Sequence, residues 1–182
     1  MNDQKVSVKY ILAGILAVVL TWIIHELTHW FTSEFLGYET ILRLNGTSSV
    51  EGENPTEIHK AIISISAPII TILQGLIVFM LIKSRGWNKY VYPFLFTAFY
   101  MRFLAGFMNL IMPNDEARVG QFLGIGTFTL SIIVSGLLFF MVYKISKQYQ
   151  LNWKFQLWTF IIILLASWIL ILSDQFFGIR LI

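Results

Sequence analysis

The chain has no cysteine. Disulfides, thiolate metal ligands and a cysteine nucleophile are excluded together. Charge is scarce as well: 13% of the 182 residues are charged, against about 25% in an ordinary soluble domain. There are three histidines, too few for the cluster of a di-iron desaturase or hydroxylase. No G-x-S-x-G or similar stretch offers a serine nucleophile. The formal charge of +3 is small and sits between apolar runs, which excludes a nucleic-acid partner.

What fills the chain is apolar: 57% of residues are hydrophobic and the mean hydropathy is +0.72. Five runs, 8–35, 61–82, 90–112, 122–143 and 157–177, approach or exceed the roughly 20 residues of a bilayer crossing. The expected fold is an all-α polytopic membrane protein, one domain over 1–182, with five transmembrane helices. The two lysines of MNDQKVSVKY precede the first run as in a signal peptide, but the run continues past any cleavage site and carries unusual residues within it. It therefore reads as a retained helix. Five crossings put Lys5, Lys9, Lys83, Arg85, Lys89, Lys144, Lys147 and Lys154 on one side and Arg43, Lys60, Arg118 and Arg180 on the other. That asymmetry predicts a cytoplasmic N-terminus. Between the first two runs, ETILRLNGTSSV (39–50) holds Asn45-Gly46 between β-compatible residues, the pattern of a tight hairpin, expected at the membrane surface.

Three polar residues stand inside the first run. His25, Glu26 and His29 form H-E-x-x-H in TWIIHELTHWFTSEF (21–35). Four residues apart on a helix, both imidazoles share a face, and Glu26 projects about 100° away, within reach of a water on a shared metal ion. Ionisable groups in a bilayer are costly and mark function. A catalytic zinc takes three protein ligands and keeps one open position. His59, in NPTEIHK, reads as a solvated interface residue, and Glu34 lies on another face of the helix. Asp115, following Pro113 in FMNLIMPNDEARVG (107–120), is the better third ligand, with Glu116 as its rival. The first and third spans run the same way, so Asp115 and the two histidines fall toward one membrane face. Arg102 and Asn109, near one helix face of the third span, read as a polar stripe leading to Asp115, and Asn109 and Asn114 are candidate donors to a substrate or transition state. Trp22 and Trp30 read as interface anchors.

These residues resemble the site-2 protease family of intramembrane zinc metalloproteases. HELTH (25–29) looks like its zinc-binding motif. SAPIITIL (66–73) looks like its glycine-proline-x-x-asparagine motif, and NLIMPNDEARVG (109–120) like its second metal motif, in which an asparagine and a proline precede a ligand aspartate. The resemblance covers roughly residues 20 to 125. Ala67 stands where the family usually has glycine, Thr71 where it has asparagine, and Glu116 follows Asp115 where glycine is usual. The resemblance implies a zinc endopeptidase of a bacterial or archaeal cell membrane, with Zn2+ on His25, His29 and Asp115, Glu26 as the catalytic base, and transmembrane proteins as substrates. Pairing of an unwound substrate with the 39–50 hairpin would hold it extended. The alternative is a zinc-binding membrane protein without protease activity, either a metal transporter or an inactive regulator that binds helices.

Overall fold

Val8–Phe35 forms α1, and Ser7 caps it by accepting from the Tyr10 amide. The chain continues through β1 (Thr40–Arg43), β2 (Gly46–Ser49), α2 (Glu57–Arg85), α3 (Tyr92–Met108), α4 (Asp115–Phe122), α5 (Thr129–Gln148) and α6 (Trp153–Phe177). The structure, a computed structural model, describes residues 3–182. Thr56 and Asn152 cap α2 and α6 as Ser7 caps α1. The protein is all-α apart from one small hairpin, and α1, α2, α5 and α6 are long and apolar enough to cross a membrane.

The third and fourth spans differ from the sequence expectation. α3 ends at Met108, four residues before Met112, and its 17 residues cover about 26 Å. The chain turns there because Asn109 braces it: its Oδ1 accepts from the Asn114 amide at 2.8 Å, and its Nδ2 donates to Ser131 Oγ at 2.9 Å. Leu110, Ile111 and Met112 continue the apolar pattern but lie outside on the turn, exposed. The following segment makes the short helix α4, which hydropathy did not indicate, so the fourth span begins at Thr129 instead of 122. Gly120 is needed where α4 passes the next turn, because a Cβ there would press on the Gly126 carbonyl oxygen.

Side-chain contacts fix the helix directions. Thr71 of α2 meets His25 of α1, while Ile63 meets His29, so α2 runs antiparallel to α1. Gln74 donates both to Thr21 and to the Phe94 carbonyl, and Arg102 of α3 reaches His25, so α3 runs parallel to α1. α6 is also parallel to α1. The hydroxyls of Tyr10 and Thr159 hydrogen-bond, and one turn on, a Cβ at Gly14 would sit 2.7 Å from Ile162 Cγ2. At that end of the bundle Trp87, Tyr92, Tyr149 and Phe155 stack around one another.

The hairpin pairs Thr40 with Ser49 and Arg43 with Gly46. It does not stand beyond the end of α1 but folds back along it. Trp30 Nε1 donates to the Thr40 carbonyl and Trp22 Nε1 to Asn45 Oδ1, each at 2.9 Å. Buried Trp22, expected as an interface anchor, is instead a hairpin clamp. The two clamps bracket His25 and His29. The other edge of β1 pairs with residues 179–182, which leave α6 through a left-handed turn at Gly178.

Candidate metal centre

α1 supplies His25, Glu26 and His29, all buried. Their neighbours on α2 decide which ring nitrogen is free. Thr71 donates its hydroxyl proton to the Ala67 carbonyl at 3.0 Å, so its oxygen is left to accept from His25 Nδ1, also 3.0 Å away. His29 Nδ1 lies 2.7 Å from the Ile63 carbonyl, which can only accept. Both Nδ1 atoms therefore carry the proton, and both Nε2 atoms present a lone pair to the space between the helices. Pro68 helps build this wall: lacking an N–H, it breaks the α2 ladder at Ser64, one residue from the carbonyl that His29 uses.

Asp115, the first residue of α4, enters the same space. Its Oδ2 is 3.2 Å from His25 Nε2 and its Oδ1 is 3.4 Å from His29 Nε2. The rings stand edge to face with centroids 4.8 Å apart. One donor atom from each of the three residues falls within 4.8 Å of the others, the one such group of three among the described residues. Two imidazole lone pairs facing a carboxylate repel unless a cation lies among them. Donors around a tetrahedral zinc, each about 2.0–2.1 Å from the ion, stand roughly 3.3 Å apart, close to the two histidine–carboxylate distances here. The three residues thus fit a zinc ion in number, type and tautomer.

Glu116 does not share this role. It is fully buried, and its Oε1 takes Arg102 Nη1 at 3.1 Å. Arg102, expected as part of a polar stripe, is an ion-pair anchor: the same Nη1 reaches Asp115 Oδ2 at 3.3 Å, and Nη2 donates to His25 Nε2 at 3.2 Å. A buried ion pair between α3 and α4 thus presents Asp115 to the histidines. Asn109 and Asn114 do not point into the cluster. Asn109 braces the turn, and Asn114 Nδ2 donates to the Ala105 carbonyl at 3.2 Å. His59 accepts or donates at Tyr38 Oη, 2.6 Å away and apart from the metal-ligand group. Glu34 accepts from the Thr40 amide.

Glu26 is buried beside the cluster, and among the described residues no hydrogen bond to it is made. Asp174 of α6, buried with Oδ1 unpartnered, lies within electrostatic range of it. Sequence reasoning passed over Asp174 and Ile63, and noted Thr71 only as standing where the resembled family has asparagine. The parallel run of α6 beside α1 brings the first to the height of Glu26, and a backbone carbonyl such as that of Ile63 carries no signal in the sequence. Comparison with protein-family models, curated proteins and solved structures finds no match for this chain.

Proposed function

We propose that this protein is an intramembrane zinc metallopeptidase that hydrolyses peptide bonds in or near the transmembrane segments of other membrane proteins. One observation carries the reading. Two histidines with protonated Nδ1 atoms turn their Nε2 lone pairs toward one carboxylate, inside a bundle of apolar helices. His25, His29 and Asp115 would hold the zinc, which when bound supplies a Lewis acid for the carbonyl oxygen and acidifies a water. Glu26, unpaired beside the cluster, takes the proton of the attacking water and returns it to the leaving nitrogen. Thr71 and Ile63 hold the imidazole tautomers. Arg102 and Glu116 hold α4 so that Asp115 stays inward. Burial keeps bulk water from competing at the site.

The charge asymmetry of the loops supports a cytoplasmic N-terminus, which puts the site toward the opposite face. The test is cleavage of a reporter carrying one transmembrane helix with an Asn-Pro break, in detergent with zinc. Wild type should cut it, and Glu26→Gln should be at least about a hundredfold slower with its zinc retained. Equal rates would remove Glu26 from the chemistry.

A second reading has its own observation. The Arg102 guanidinium touches both His25 and Asp115, so the cluster carries a built-in cation. A chain that kept that arrangement would bind helices without cutting them, and it would purify without zinc.

A further inference from the structure

β1 is hydrogen-bonded on both edges. On its far side from β2, Leu42 and Leu44 donate to the carbonyls of Ile182 and Ile179 at 3.2 and 3.1 Å, and Leu181 donates to the Leu42 carbonyl at 2.8 Å. Arg43 and Arg180 form the antiparallel pair between these bonds. Residues 179–182 therefore take both backbone groups of Leu42 and the amide of Leu44 on that edge. This edge lies beside the candidate chemistry. β1 is clamped to α1 across the two turns that hold His25 and His29, and the strand-forming residues follow α6, which carries Asp174 to the height of Glu26.

The contact is built to part. Arg43 and Arg180 are like charges directly opposite each other, which disfavours the pairing. Both are exposed, as are Leu181 and Ile182, so few apolar contacts hold the segment down. Beneath it, Leu42 is buried. Only four backbone hydrogen bonds hold the segment to this edge, one of them long at 3.4 Å, and an incoming extended segment offers groups of the same kind.

We propose that residues 179–182 are a displaceable strap that occupies, in cis, the β1 edge on which an unwound substrate would be held extended. The inference rests on the peptidase reading above and adds its regulation. Substrate enters by strand exchange, so the free enzyme is closed and turnover includes release of the strap.

The absence of native cysteine makes a direct test clean. In an antiparallel sheet, residues paired as Arg43 and Arg180 are, between two such bonds, have Cα atoms about 4.5 Å apart, within disulfide range. The full chain with Arg43→Cys and Arg180→Cys is oxidised, and closure is confirmed by mass. Cleavage of the single-helix reporter is then measured before and after reduction, beside wild type, Glu26→Gln and Leu181→Pro, which loses the amide donated to Leu42. Zinc content is read on every sample. The strap predicts that oxidation slows cleavage by about tenfold or more, that reduction restores it with zinc unchanged, and that Leu181→Pro exceeds wild type by about threefold. Equal rates for oxidised, reduced and Leu181→Pro chains, with wild type active, overturn the strap and leave the peptidase standing. Failure of the two cysteines to cross-link in the folded chain overturns the pairing itself. If no sample cuts faster than Glu26→Gln, the peptidase reading fails and the strap as a substrate gate falls with it.

Discussion

At Thr71 one hydroxyl settles a question that the H-E-x-x-H spacing leaves open. The spacing puts two imidazoles on one face, but either nitrogen of each ring could point inward. The Thr71 hydroxyl, already donating to Ala67, accepts from His25 Nδ1 and leaves Nε2 as the ring's lone-pair nitrogen. Partners of this kind are worth about 10–100-fold in metal affinity or activity when removed. Thr71→Val should therefore weaken zinc binding by about that factor, as measured by competition with a chelator, and Thr71→Ser should restore it. The choice between Asp115 and Glu116 was not legible in the sequence, since both follow Pro113 and either could turn inward. The first turn of α4 points them apart, Asp115 to the histidines and Glu116 to Arg102. Removing one partner of a buried pair leaves an uncompensated charge and costs about 3–5 kcal/mol. Glu116→Ala should lower stability by about that much in chemical unfolding, whereas Asp115→Asn should lose zinc with a smaller loss of stability.

The helices divide by how strongly apolar pattern alone defines them. α1 spans Val8–Phe35, as its apolar run predicts, because a capping serine precedes it and no breaker interrupts it. α3 was overextended because Leu110, Ile111 and Met112 look like more of the same span, and only the side-chain bonds of Asn109 show that the helix has ended. α4 is short and polar, so nothing in a hydropathy profile marks it. The hairpin was legible through Asn45-Gly46, but its place along α1 was not, since that depends on the indole donors of Trp22 and Trp30 finding Asn45 and Thr40. One such hydrogen bond contributes about 1 kcal/mol. Trp22→Phe should keep the helix packing but speed amide exchange in β1 and β2. Unchanged exchange would mean that the clamp at Asn45 does not hold the hairpin. A bulkier side chain at a helix crossing acts more broadly. Gly75 faces Leu138, whose Cδ2 would lie 2.6 Å from an added Cβ, so Gly75→Leu should cost about 1–3 kcal/mol or more through overpacking. A thermal melt in detergent reads this.

Across the whole molecule, the parallel run of α1 and α3 turns a spacing motif into a site. It brings residues 90 positions apart, His25 and Asp115, into contact at 3.2 Å. The polar groups do not line an open stripe through the bundle but form one closed cluster of histidines, carboxylates and Arg102. That is how an apolar bundle can carry several ionisable groups, each of which costs about 3 kcal/mol in the middle of a membrane-spanning helix when alone. The proposed orientation makes its own prediction at this scale. In a cysteine-free chain, a single Glu53→Cys should react with an impermeant maleimide from outside intact cells, and Lys147→Cys only after permeabilisation. The reverse labelling would place the site toward the cytoplasm.

The central claim is that His25, His29 and Asp115 together hold one divalent ion. The direct measurement is the zinc content of the purified chain beside His29→Ala, Asp115→Ala and Glu26→Gln. The account predicts about one zinc per chain in wild type and Glu26→Gln, and almost none in the other two. A wild type that carries no zinc after purification and zinc addition, or an Asp115→Ala chain that binds it as wild type does, would contradict it.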